Sequence, residues 1–248
     1  LTADGSGEGY WATAAAGATD IDGLSDAVTK SSGGTIGLGT GALVNDDGSV
    51  RNNTAVGYQA GNTLTDGNLN NLFGYQAGFD ISSGFQNIAV GYRSSYNLTT
   101  GYQNTGVGHE TFYDLTTGNK NTAIGSDSSK SLTTGTGNVA MGFESLRQLS
   151  TGTNNVAIGS DAGRGITTQS ENVFLGTAAG TAKVGTTMLG YFAGYSRVSG
   201  TNNTIIGADA AGSTTTISDE ITLGNASIAT LRCQVTTITA LSDRRDKK

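Results

Sequence analysis

The sequence predicts an all-β fold, a parallel β-roll or β-solenoid, because three features recur together along the chain at one short period. A glycine returns every 17 residues over most of the chain, and an apolar residue immediately precedes each of these glycines. An asparagine stands four residues before most of them. Self-similarity at a fixed period of this size is typical of solenoids, in which each repeat forms one coil and stacks on its neighbours.

The recurring glycines, which we call anchor glycines, divide the chain into about eleven coils. They are Gly39, Gly57, Gly74, Gly91, Gly108, Gly125, Gly142, Gly159, Gly176, Gly190, Gly207 and Gly224. The step that ends at Gly190 has 14 residues and the first step has 18, whereas all others have 17. With neighbouring strands about 4.8 Å apart, the stacked coils make a rod on the order of 50 Å long.

The composition is consistent with this fold and excludes several other classes of protein. The 248 residues include 39 glycines and no proline, and only 14% are charged, which fits neither a disordered chain nor collagen. The net charge is −6 without a basic stripe, so we expect no nucleic-acid partner. No apolar run is long enough for membrane insertion. His109 and Cys233 are single residues of their type, and we predict no cofactor, no metal and no disulfide.

Each coil is predicted to contain one short strand that ends at the anchor glycine. In the coil that ends at Gly57, Thr54 and Val56 share one strand face and Ala55 lies on the other. Because this alternation is typical of a strand, we expect the larger side chains to fill the coil. We expect the alanine face to pack against two other copies of the chain, which predicts a homotrimeric rod.

The remainder of each coil is predicted to consist of turns around a narrow interior. The residue three positions after the anchor glycine is small, as at Ala60, and the residue seven positions after it is often apolar, as at Leu64. Ten positions after it comes a second glycine in most coils, as at Gly67. We expect this second glycine to adopt a positive φ.

The recurring asparagines are predicted to form a structural ladder. They are Asn53, Asn70, Asn87, Asn104, Asn121, Asn138, Asn155, Asn172 and Asn203. A stacked amide can donate to one coil and accept from the next, which satisfies backbone groups of the turns. The alternative is a set of ion or ligand sites.

Aromatic residues follow several anchor glycines and are the candidates for ligand contact on the shaft. Tyr58, Tyr75 and Tyr92 occupy this position in successive coils, and His109 follows in the next. Stacking between coils would stabilise the rod. The alternative is contact with a glycan through the ring faces, which makes these three tyrosines candidate glycan contacts.

Both ends of the chain lack the repeat. Residues 1–34 are predicted to be an N-terminal attachment and capping segment, and residues 35–212 the β-roll shaft. In residues 213–242 apolar and polar residues alternate, which predicts a β-rich neck that closes the trimer. Cys233 is expected on its inward face as a small core residue.

Three segments resemble the head repeats of YadA-like trimeric adhesins. They are NTAVGYQAG at 53–61, NTAIGSDSS at 121–129 and NVAIGSDAG at 155–163. The resemblance covers about residues 35–227 and implies a left-handed parallel β-roll whose three chains intertwine. The period of that family is often 14 residues, which the step from Gly176 to Gly190 matches.

The C-terminal segment ITALSDRRDKK at 238–248 resembles the junction before the intramolecular chaperone of phage tailspikes and tail fibres, a self-cleaving serine peptidase. The resemblance implies that residues 243–248 begin that chaperone domain. It also implies a self-cleavage dyad of Ser242 and Lys247, in which the lysine activates the hydroxyl and the Ser242–Asp243 bond is cut. The alternative is a polar, frayed tail.

Together these patterns predict a structural and receptor-binding protein, the distal shaft of a phage tail fibre on the virion. We expect it to mature by release of a C-terminal chaperone and to reach a glycan or protein receptor on the host cell. The alternative is the head domain of a bacterial trimeric autotransporter-type adhesin at the cell surface. Apart from the self-cleavage junction, which is expected to be inactive without its chaperone domain, we predict no enzyme.

Overall fold

A computed structural model describes residues 2–3, 9–10, 27–30, 34–47, 51–180, 185–195, 200–213, 216 and 218–230. Cys233, Ser242, Asp243 and Lys247 lie outside the described residues, as do most of the predicted cap and neck. In the described ranges no helix is long and apolar enough to cross a membrane.

The repeat region folds into one long sheet of short parallel strands. These are β4 (Thr35–Leu38), β5 (Thr54–Val56), β6 (Asn71–Phe73), β7 (Ile88–Val90), β8 (Thr105–Val107), β9 (Thr122–Ile124), β10 (Val139–Met141), β11 (Val156–Ile158), β12 (Val173–Leu175), β13 (Thr187–Leu189), β14 (Thr204–Ile206) and β15 (Ile221–Leu223). Each strand pairs with the strand of the next coil in the order of the sequence. The prediction of an all-β parallel solenoid with 17-residue coils is confirmed.

The register of the sheet follows the sequence period. Ala55 pairs with Leu72, 17 residues on, and across the short coil Val173 pairs with Thr187. The three residues missing from the short coil are therefore removed from its turns, not from its strand. At the N-terminal end β3 (Ala27–Lys30) adds an antiparallel strand to β4, and β1 (Thr2–Ala3) pairs antiparallel with β2 (Gly9–Tyr10). Parallel pairing extends past residue 212 to β15.

The middle residue of each strand lines the coil interior, and the predicted orientation of the strands is wrong. From β5 to β14 this residue, most often alanine as at Ala55, points inward and is buried, whereas Thr54 and Val56 on either side of Ala55 remain partly exposed. The interior also receives the residues three and seven positions after the anchor glycine, as at Ala60 and Leu64. A coil this narrow has no room for two large strand side chains as well, so alanine faces inward.

Large and small residues exchange places inside the coils. Beside Gly106 in β8, Phe112 fills the interior four positions after its anchor glycine and is fully buried. In β12 the order is reversed: Phe174 is buried, and a Cβ on Gly180 would overlap its ring. Both pairs are separated by six residues in the sequence. In these two coils the same phenylalanine volume is therefore supplied to the interior from two different positions.

The second glycine of each coil is required by close backbone packing, not by a positive φ as predicted. Gly67, Gly84 and Gly101 all lie outside the left-handed region. A Cβ on Gly84 would come within 2.6 Å of the Gly101 carbonyl oxygen in the next coil. The anchor glycines do have positive φ, for example +136° at Gly57. Two rows of glycine thus let successive coils approach at two corners.

Candidate functional site

The recurring asparagines form a continuous buried ladder. The Asn121 side-chain amide donates to the Gly135 carbonyl oxygen of its own coil at 2.8 Å and to Asn104 Oδ1 of the previous coil at 3.1 Å. Its own Oδ1 accepts from the backbone N–H of Asn138 at 2.9 Å and from the Asn138 side-chain amide at 3.1 Å. Each asparagine therefore braces one coil and connects it to both neighbours.

The same bonds repeat along the ladder, and the short coil ends the unbroken series. From Asn53 to Asn155, the Oδ1 of each asparagine accepts a hydrogen bond from the backbone N–H of the next asparagine in the ladder. In the short coil threonine takes the place of asparagine, and the Thr186 N–H donates to Asn172 Oδ1 at 3.1 Å. Near the last coil Asn203 Oδ1 accepts from the Glu220 N–H at 3.1 Å. The ladder satisfies backbone groups of the turns, and its side-chain amides bond to one another along the stack.

The outward face of the sheet is an uncharged, mostly apolar stripe. It consists of the first and third residues of β5–β15 together with Ile36 and Leu38 of β4, and we call it the outer sheet face. Side chains such as Ile124, Ile158 and Leu189 are about two-fifths exposed, at 41%, 41% and 43%. None of its residues is charged. Depletion of charge over a continuous apolar area is typical of the centre of a protein interface.

Next to the outer sheet face, the three predicted tyrosines stack in a ladder. The ring centroids of Tyr58 and Tyr75 are 5.2 Å apart, as are those of Tyr75 and Tyr92, and His109 continues the stack at 5.1 Å. Rings at this spacing cover the faces of their neighbours, so a sugar cannot lie on the face of Tyr75. Tyr75 is 41% exposed, and the parts of its ring that remain accessible are the edge and the hydroxyl.

A second aromatic ladder runs beside the first, which the sequence analysis did not identify. Phe79, Tyr96 and Tyr113, each five positions after an anchor glycine, stack with centroids 5.1 Å and 5.3 Å apart. The recurrence of aromatic residues at this position was the signal that could have revealed it. A further stacked pair, Phe85 and Tyr102, lies elsewhere on these coils, with centroids 4.8 Å apart.

Between the two ladders lies a row of polar side chains. The Gln76 side-chain amide donates to Gln59 Oε1 at 2.8 Å, and Arg93 Nε donates to Gln76 Oε1 at 2.9 Å. The Arg93 guanidinium carbon is 5.2 Å from the ring centre of Tyr92 and 5.4 Å from that of Tyr96, one ring in each ladder. We call the surface formed by the two ladders and this row the corner groove.

Towards the C-terminus the same corner becomes ionic. Lys130 Nζ lies 2.5 Å from Glu110 Oε2 and 2.9 Å from Asp127 Oδ1. Hydrogen bonding to Glu110 is the main cause that raises the pKa of Lys130 above its ordinary value. His109, Glu110 and Asp127 bring potential metal ligands within 4.8 Å of one another. The Lys130 ammonium bridges the two carboxylates and offsets one of their two negative charges, so the cluster forms an ion-pair network.

Two other carboxylates have shifted pKa values for different reasons. Burial raises the pKa of the Asp80 carboxyl, which lies in the corner near Tyr96. Hydrogen bonds from Ser213 and Thr222 lower the pKa of Glu220, which lines a hollow of about 560 Å³ at the last described coils. Because Glu220 already accepts from these neighbours, it is not poised as a general base.

Comparison of the chain with protein-family models, curated proteins and solved structures gave no match. Function is therefore argued from the outer sheet face and the corner groove. Ser242 and Lys247, the predicted self-cleavage residues, lie outside the described residues.

Proposed function

We propose that this protein is the shaft of a homotrimeric fibre that reaches a receptor, namely the distal shaft of a phage tail fibre that loses a C-terminal chaperone. The single observation that carries the proposal is the outer sheet face. Three copies of the chain bury these faces against one another along the rod axis. The coil corners then remain free for contact with a receptor on the host cell.

The size of the outer sheet face supports association. Twelve strands about 4.8 Å apart make a stripe roughly 50 Å long, and side chains two residues apart make it roughly 10 Å wide. Its area, on the order of 500 Å² before surface relief is counted, is at the upper end for an apolar patch on a soluble monomer. A stable interface buries about 800 Å² per partner, which is of the same order as this area.

A second copy of the chain is the partner that fits this face. The stripe has a constant width and repeats at the coil spacing, so an identical rod in parallel orientation presents matching side chains along its whole length. A cyclic trimer closes such a contact without leaving an apolar edge. The interface is the outward face with Val56 and Ile124, not the alanine face that the sequence analysis assigned to it.

Light scattering after size exclusion tests the trimer. We expect a mass of three times the chain mass of 25.1 kDa. The double substitution Ile124→Lys and Ile158→Lys places charges at the centre of the outer sheet face and should dissociate the trimer. Thr134→Lys, at an exposed turn, is the matched control and should leave the mass unchanged. A monomeric unsubstituted chain would refute the proposal.

The head of a bacterial trimeric autotransporter-type adhesin is a second candidate. It is favoured by the 14-residue coil, which pairs in full register between β12 and β13 and matches the period of adhesin heads. Both candidates share the trimeric rod. A self-cleaving chaperone domain encoded next to the shaft would support the fibre, whereas a coiled-coil stalk with a membrane anchor would support the adhesin.

A further inference from the structure

The corner groove contains a positive charge that differs from the other cations of this corner. Lys130, Arg147 and Arg164 each lie within ion-pair distance of a carboxylate of the same corner. Among the residues that the structure describes, Arg93 makes no such pair. Within the described part of the chain its guanidinium therefore has no carboxylate at ion-pair distance.

The Arg93 guanidinium is also held in place. Its Nε is bound to Gln76 Oε1, and Tyr92 and Tyr96 flank it from the two ladders. The side chain is half-buried, and its two terminal nitrogen atoms make no hydrogen bond within the described residues. A planar guanidinium with both terminal groups available is suited to a bidentate contact with a carboxylate. Preorganisation of this kind lowers the entropic cost of binding.

We propose that the corner groove binds an acidic polysaccharide, with a sugar carboxylate on the Arg93 guanidinium and neighbouring sugar hydroxyls on the tyrosine edges. The inference deepens the proposed role as a receptor-reaching fibre and rests on it for its biological setting. The sugar carboxylate pairs with the Arg93 guanidinium, and Gln59, at the end of the amide row, supplies an amide group; Gln76 is buried and positions Arg93 rather than contacting the sugar.

The spacing of the rungs favours a glycan over an extended peptide. The ring centroids from Tyr58 to Tyr92 are 5.2 Å apart, on coils that advance about 4.8 Å per rung, and both distances are close to the advance of a linked pyranose ring. A peptide strand advances about 3.3 Å per residue and would lose register with successive rungs. Because the ring faces are covered, the tyrosines contact a ligand through hydrogen bonds of their hydroxyl groups at the ring edges. Such contacts suit a polar sugar better than an apolar ligand.

Titration of the trimer with an oligogalacturonate, followed by calorimetry, tests the proposal. Arg93→Gln is the informative variant, because glutamine already occupies this column at Gln59 and Gln76 with the same left-handed φ. We expect about tenfold to a hundredfold weaker binding for Arg93→Gln. Tyr92→Phe, which removes one edge hydroxyl and keeps the ring stack, should weaken binding less. Arg147→Gln, which removes a paired cation of the same corner, is the control and should bind as the unsubstituted protein does.

Several other results of these titrations would overturn the proposal. The methyl ester of the same oligosaccharide, which is neutral, should not bind, and equal binding would exclude carboxylate recognition. Equal competition by inorganic phosphate would show only a general anion site. No binding by the unsubstituted trimer, or unchanged binding by Arg93→Gln, would exclude the groove. If Arg93→Gln instead dissociates the trimer, the groove is a contact between chains; an intact trimer that does not bind would leave the fibre proposal standing.

Discussion

Replacing one rung of the asparagine ladder should destabilise the rod far more than an ordinary surface substitution. Asn121→Ala removes the donor to the Gly135 carbonyl oxygen and the acceptor of the Asn138 N–H. Both backbone groups are in buried residues, and no backbone group replaces the lost partner of either. An unsatisfied buried group costs about 1–3 kcal/mol, so the local cost is about 2–6 kcal/mol per chain.

Native-state hydrogen exchange measures this cost where it arises. The Asn138 amide should exchange about 30-fold to 10⁴-fold faster in Asn121→Ala, and amides of distant coils should change little, because solenoid stability is largely a sum over neighbouring repeats. Asn68→Ala is the control: Asn68 is exposed, and no bond of its side chain is lost. If the Asn138 amide exchanged as slowly in Asn121→Ala as it does in Asn68→Ala, the ladder would be refuted as the source of stability.

The same site separates the ladder from the ion-binding alternative. Asn121→Asp keeps an acceptor for the Asn138 N–H but cannot donate to Gly135 or to Asn104 Oδ1. Asn121→Asp should therefore lower the stability of the rod, and the burial of the aspartate charge should lower it further. If the asparagines held a cation, the aspartate would bind it more tightly, and added divalent cation would raise the melting temperature of the variant above that of the unsubstituted protein.

Three further predictions concern the core, the corner and the C-terminus. Phe174→Gly should cost about 3–5 kcal/mol of unfolding free energy, and adding Gly180→Phe, which copies the order found at Gly106 and Phe112, should restore part of it in denaturant unfolding; no recovery would exclude volume exchange. Because burial raises the pKa of Asp80, the charge of its carboxylate opposes folding once the carboxyl ionises. Asp80→Asn should therefore raise the melting temperature at pH 7 but not at a pH below the ordinary aspartate pKa of about 3.9. An equal rise at both pH values would exclude the charge as its cause. In a chain extended by its own downstream region, Ser242→Ala should abolish cleavage at the Ser242–Asp243 bond in mass spectrometry; continued cleavage there would exclude the dyad.

The period of the sequence was enough to predict the coils, but not which strand face lies inside them. Alternation within Thr54, Ala55 and Val56 separates two faces, and hydrophobicity alone would place valine inside. The width of the coil decides otherwise, because Leu64 already occupies much of the interior. The sequence did contain a usable signal: a glycine at one inward position accompanies a phenylalanine at the other, as Gly106 with Phe112 and Gly180 with Phe174.

Stacking also limits which residues can follow one another in a column of the corner. Amides and aromatic rings can lie directly above their own kind, as Gln76 does above Gln59, because each rung satisfies the next. Like charges cannot do so without cost, and the acidic rungs Glu110 and Asp127 are accompanied by Lys130 in the adjacent column.

Arg93 stands where the amide rungs end and the acidic rungs begin. The acidic rung that follows it, Glu110, pairs with Lys130, and the rung that precedes it, Gln76, is neutral. A solenoid that only needed a stable corner could have continued the amide row with a third glutamine. The Arg93 guanidinium also lies over the rings of Tyr92 and Tyr96, so it can stabilise the corner as well as bind a ligand. Arg93→Gln separates the two roles: a purely structural arginine predicts a lower melting temperature with unchanged glycan binding, whereas a binding arginine predicts the loss of affinity.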